Sequence, residues 1–94
     1  MISPEEADAA LGGLDWTREG QVLVKVVRRG DFAGALAFVN AVGALAEAAD
    51  HHPTVDIRWD TVTLRLTTHS AGGLTAKDFA LAAQIDRLLQ EGVS

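Results

Sequence analysis

The feature that most constrains this chain is a proline standing between two incompatible hydrophobic periods. Upstream, Phe32 to Ala49 is a long apolar stretch with helical spacing. Downstream, Val55, Ile57 and Trp59 alternate with Thr54, Asp56 and Arg58. Pro53 cannot continue a helix, and it biases His52 away from helical angles. The backbone is therefore expected to turn at Asp50-His51-His52-Pro53 and to enter an extended run from a rigid corner.

A second corner follows. Val62, Leu64 and Leu66 alternate with Thr63, Arg65 and Thr67, and Asp60-Thr61 forms the tight link to the preceding run, which makes a hairpin. The run ends in Thr68-His69-Ser70-Ala71-Gly72-Gly73-Leu74-Thr75, and a helix is expected from Thr75 to about Gln90, with Leu81, Ala82, Ile85, Leu88 and Leu89 on one stripe and Gly92 ending it. All three histidines of the protein lie in these two corners.

The first third supplies the remaining elements. Ser3-Pro4-Glu5-Glu6 is a helix start, with a serine cap, proline at the first position and acids facing the positive end of the dipole. Gly12-Gly13 ends this short helix, and a first hairpin turns at Glu19-Gly20. In Gln21 to Arg28, Val22, Val24 and Val26 share one face and Leu23, Lys25 and Val27 the other. The valine face is expected to meet the helices. The partly apolar opposite face suggests a subunit contact, and Lys25, Arg28 and Arg29 read as a solvated strand edge. Asp31 caps the central helix, whose stripe reads Phe32, Leu36, Val39, Val42 or Gly43, and Ala46.

Helix, two strands, helix, two strands, helix, without strand-helix-strand alternation, favours an antiparallel sheet with helices on one face. This is an α+β two-layer domain. At 94 residues the chain is expected to be one domain, 1–94, with a core but little spare stability. Hydrophobic residues make up 48% of it, yet no uncharged apolar stretch approaches the roughly 20 residues of a membrane span. The acidic start lacks the basic flank of a signal peptide, so a cytoplasmic protein without a membrane partner is expected. A net charge of -5 argues against nucleic acid, and the lack of cysteine removes thiol nucleophiles and thiolate metal sites.

Two polar residue types, aspartate and histidine, then bear on chemistry. Asp78 precedes Ile85 by seven positions, which places it within roughly 20° of the centre of the apolar stripe. It is also the fourth residue of a capping box, Thr75-Ala76-Lys77-Asp78. The two readings are compatible if one carboxylate oxygen serves each. Adjacent His51 and His52 cannot chelate one metal as an i, i+4 pair does, so a metal site from His51, His52, His69 and Asp78 would require convergence in space. Histidines titrating near neutrality suit proton transfer to and from a substrate.

Glu47-Ala48-Ala49-Asp50-His51-His52-Pro53, Trp59 six residues beyond the proline, Thr68-His69, and Gly72-Gly73-Leu74-Thr75 with Asp78 together resemble the signature of the pterin-4a-carbinolamine dehydratases. The resemblance implies a four-stranded antiparallel sheet with three helices on one face, assembled as a homodimer or homotetramer. It implies an enzyme that needs no metal or organic cofactor and dehydrates 4a-hydroxytetrahydropterin to quinonoid dihydropterin in tetrahydropterin recycling. His51 and His69 would be the main acid/base pair, with His52 helping to bind the substrate or its hydroxyl. Asp78 would orient one imidazole, taken to be His69.

By the same resemblance, Glu47 and Asp50 would bind the aminopyrimidine, and Pro53 and Thr68 fall at substrate-binding positions. Trp59 matches an aromatic position of the family and, by alternation, is assigned to the core. Val55-Asp56 replaces an aromatic pair of the animal members. The animal members also serve as dimerisation cofactors of a homeodomain transcription factor, a role nothing in this chain supports. Two other readings remain open. One is a non-catalytic assembly module, which would have predicted loss of the histidines. The other is an enzyme on another pterin, such as one in molybdopterin metabolism.

Overall fold

The structure is a computed structural model and describes residues 2–92. Its elements run α1 (Pro4–Ala10), β1 (Thr17–Glu19), β2 (Val22–Arg28), α2 (Phe32–Ala49), β3 (Thr54–Arg58), β4 (Thr61–Leu66) and α3 (Ala76–Gln90), with short 3-10 turns at Leu11–Gly13 and His69–Ala71. The strands form one antiparallel sheet in the order β1-β2-β4-β3. The α+β architecture and the element order are those expected from the sequence. The helix starts also agree: Ser3 and Glu6 cap α1 reciprocally, and the Asp31 side chain accepts from Gly34 N–H at the head of α2.

One strand face is reversed from expectation. Leu23 pairs with Leu66, Lys25 with Leu64 and Val27 with Val62, and all of these are buried against the helices. The set Val22, Val24 and Val26 lies on the outer face, where Val26 is exposed. Alternation alone turns Lys25 outward because an unpaired ammonium is costly to bury. Here it is paired. Its Nζ donates to Asp15 O at 2.8 Å and to Asp15 Oδ2 at 3.1 Å, lies 3.1 Å from Asp86 Oδ1, and sits 5.9 Å from the centre of the Trp16 ring. Asp86 also accepts from Trp16 Nε1 and from Asp15 N–H, each at 2.9 Å. The Lys25, Arg28 and Arg29 group is thus not a uniformly solvated edge.

Helix α2 is rotated from its expected phase. Ala35, Phe38, Val42 and Ala46 face the core, whereas Phe32 and Leu36 are exposed. Its sequence is apolar nearly all round, so periodicity could not fix which face turns inward. The phase seen buries Phe38 completely. By length and composition α2 also passes for a helix apolar enough to cross a membrane, although Glu47 interrupts its uncharged run, as the sequence reading requires. Its contacts with α3 and β4 give a simpler account, since the core helix of a globular fold meets the same description.

Trp59 is the other correction. It is 65% exposed, at φ 53 in the two-residue link Trp59-Asp60 between β3 and β4, one residue earlier than the expected link. The hairpin register closes at Arg58 and Thr61, so the alternation that carried Val55 and Ile57 stops before Trp59. At the other end of the sheet, Arg18 bonds Asp8 at 2.7 Å, tying β1 to α1, and this hydrogen bond holds the Asp8 carboxyl below the ordinary carboxylate range.

Candidate active site

Two element ends meet at one edge of the sheet. Helix α2 stops at Asp50, which takes the left-handed conformation at φ 51, φ > 0 being more accessible to aspartate than to most side chains. His51 N–H then returns to the Ala46 carbonyl at 3.1 Å, a wide closing bond that fixes where the imidazole leaves the helix. The reversal lies one residue before the histidine pair, and Pro53 keeps the following backbone extended.

Facing this end is the loop from β4 to α3. Thr68 and Gly73 exchange both backbone hydrogen bonds, at 3.1 and 3.3 Å, pinching off a short loop that carries His69 in a 3-10 turn. Gly72 closes that turn at φ 76, a conformation that most side chains avoid. Gln21 buckles the loop to the first hairpin: its carbonyl accepts from Thr67 Oγ1 at 2.7 Å and its Oε1 from Leu74 N–H at 2.9 Å.

Asp78 joins the two ends. It is 0% exposed, and its two oxygens divide their work. Oδ2 accepts from Thr75 N–H at 2.9 Å and from Thr68 Oγ1 at 2.8 Å, which fastens the start of α3 to the end of β4. Oδ1 lies 2.5 Å from His51 Nε2. The cap and the inward-facing carboxylate read from the sequence are therefore both present. The imidazole it holds is His51, not His69 as expected, because His51 comes off the helix end directly over the carboxylate. With Nε2–H donated to Asp78, Nδ1 is the nitrogen of His51 left to exchange a proton.

An open cleft of about 320 Å³ lies over this junction, lined by Asp50, His51, His52, Thr67, Thr68, His69, Ser70 and Lys77. His51 is mostly buried, and His52 and His69 are exposed. Of the residues proposed from sequence, the cleft gathers His51, His52, His69, Asp50 and Thr68, with Asp78 directly beneath. Thr68 does not offer a free hydroxyl, since it is committed to Asp78 and Thr75. Glu47 and Pro53 do not line the cleft. Glu47 is engaged instead with the Nε2 of His52. Among the described residues no group of three His, Asp or Glu side chains converges as a metal site requires.

Sequence reasoning missed Gln21, Thr67, Ser70 and Lys77. Only Lys77 carried a signal: a positive charge in the first turn of a helix opposes the dipole, so stability does not account for it.

Comparison with known proteins bears on the same architecture. Residues 1–88 match the family model described as pterin 4 alpha carbinolamine dehydratase. A relative from Roseiflexus castenholzii, provisionally named a pterin-4-alpha-carbinolamine dehydratase, is 52% identical over 90 residues, covering 95% of this chain and 97% of its own. One from Nocardia farcinica with the same provisional name is 51% identical over 89 residues, covering 94% of each.

Among solved structures, a transcriptional coactivator/pterin dehydratase from Brucella melitensis superposes with a TM-score of 0.87 at 28% identity, over 93% of this chain and 96% of that one. A pterin dehydratase-like protein described as a RuBisCO assembly factor of the alpha-carboxysome gives 0.64 at 26% identity, over 90% and 96%. With a family model spanning nearly its whole length, this chain belongs to the pterin-4a-carbinolamine dehydratase family.

Proposed function

We propose that the protein catalyses the dehydration of 4a-hydroxytetrahydropterin to quinonoid dihydropterin. The observation that carries this reading is the pairing of His51, backed by buried Asp78, with an unencumbered His69 across one cleft. The reaction breaks the C4a–O bond, removes the proton on N5 and releases water, leaving a C4a=N5 double bond. One proton enters and one leaves, so neither a redox group nor a metal is demanded by the chemistry.

In this scheme His51 Nδ1 takes the N5 proton, while Asp78 holds the ring in one tautomer and orientation. His69 gives a proton to the departing hydroxyl. Between turnovers exposed His69 takes a proton back from water, and His51 gives up the one it gained to water in the open cleft both residues line. His52, steadied by Glu47, and Asp50 flank the substrate. The test is the decay of 4a-carbinolamine generated in situ, followed by ultraviolet absorbance. A rate proportional to protein and lost in the His51→Ala, His69→Ala double variant is expected. No acceleration by the folded wild-type protein would overturn the assignment in favour of a binding or assembly role, or of action on another pterin.

The protein is further proposed to act as a homodimer or homotetramer. Phe32 and Leu36, exposed on the outer face of α2 among small alanines, supply an apolar surface for a second copy. Leu36→Glu should lower the mass measured by light scattering without lowering helix content. An unchanged mass would place the contact elsewhere.

A further inference from the structure

Within the cleft, charge is distributed unevenly. Glu47 is engaged with His52, and Asp78 is buried beneath His51 with both oxygens occupied. Among the described residues Asp50 is the one carboxylate that lines the cleft itself, and it stands at the α2 end. In the first turn of α3, Lys77 is exposed on the cleft wall, which Ser70 also lines. Among the described residues Lys77 makes no ion pair. A cation there opposes the helix dipole, unlike Lys25, whose ammonium is engaged with Asp15 and Asp86.

Resting on the pterin reading above, we propose that Lys77 is a specificity-determining residue that selects pterins bearing an anionic substituent, a phosphate or a carboxylate, on the side chain at C6. The ring occupies the His51 and His69 end of the cleft, and the substituent reaches toward Lys77 and the Ser70 hydroxyl. A flexible ammonium suits such a group because it meets a phosphate or a carboxylate as a point charge, without the fixed fork of arginine.

The test is calorimetric titration of the full chain with three non-reacting dihydropterins that differ only at the side chain: a phosphate monoester, the same compound without phosphate, and a carboxylate in its place. The anionic compounds are expected to bind about tenfold tighter than the neutral one, as for one charge-assisted hydrogen bond. That preference should shrink with added salt, fall to near unity in Lys77→Met and return in Lys77→Arg. Tightening by phosphate alone or by carboxylate alone supports the proposal and names the group. Equal binding of all three by the wild type, or a preference that survives Lys77→Met, overturns it while leaving the dehydratase reading intact. Binding of none of the three overturns both.

Discussion

Replacing His51 with alanine is expected to lower kcat for carbinolamine dehydration by about 10²–10³-fold, the usual share of a positioned acid or base. The affinity for a non-reacting pterin should change far less. The more discriminating result comes from pairing it with Asp78→Asn. That substitution keeps the size of a fully buried side chain while altering the partner of His51 Nε2. If the carboxylate acts through His51, the double variant should be scarcely slower than His51→Ala alone, because the two residues work as one unit.

The arrangement expected from sequence, with Asp78 acting on His69, makes the opposite forecast. Asp78→Asn would then compound the loss in His51→Ala and be silent in His69→Ala. Stability must be followed in parallel, because the same residue caps α3 through Thr75 N–H. A capping contribution is about 1 kcal/mol, too little by itself to unfold the chain.

The second large effect is on stability. Asp86→Ala is expected to lower the unfolding free energy by about 3 kcal/mol, a substantial part of the 5–15 kcal/mol typical of a domain. It leaves the Trp16 indole N–H and the Asp15 N–H without their acceptor and takes one carboxylate partner from the buried Lys25 ammonium. Lys25→Met should cost only about 1 kcal/mol, since Asp86 keeps two donors and the methionine enters an apolar row beside Leu64. Urea denaturation of the two variants measures this asymmetry. Equal losses would mean that the ion pair, rather than the acceptor role of Asp86, dominates the cluster.

Most of the architecture was legible because local signals agreed with one another. The caps at Ser3 and Asp31, the break at Pro53 and the alternation in β4 each pointed to the same element order. What the sequence withheld was rotational. Alternation in β2 shows that Leu23, Lys25 and Val27 share a face but does not say which face is inside, and the charge on Lys25 argued for the wrong one. Only Asp86, four residues after buried Ala82 on α3, hinted at a buried partner. The apolar surround of α2 hid its phase in the same way. Around the candidate site, residue identities were readable and their pairings were not. Whether Asp78 meets His51 or His69 depends on how a helix end and a loop approach each other, which no spacing encodes.

The two tryptophans stand at opposite extremes of this fold. Trp16 is enclosed, its indole N–H bonded to Asp86, while Trp59 projects into solvent from the tip of a hairpin. The protein therefore carries two optical probes that one excitation addresses and a quencher separates. Acrylamide should silence the red-shifted emission of Trp59 first and leave a blue-shifted signal from Trp16. That remaining signal reports the closure of the first hairpin onto α3 without a label, and Trp59→Phe would isolate it altogether.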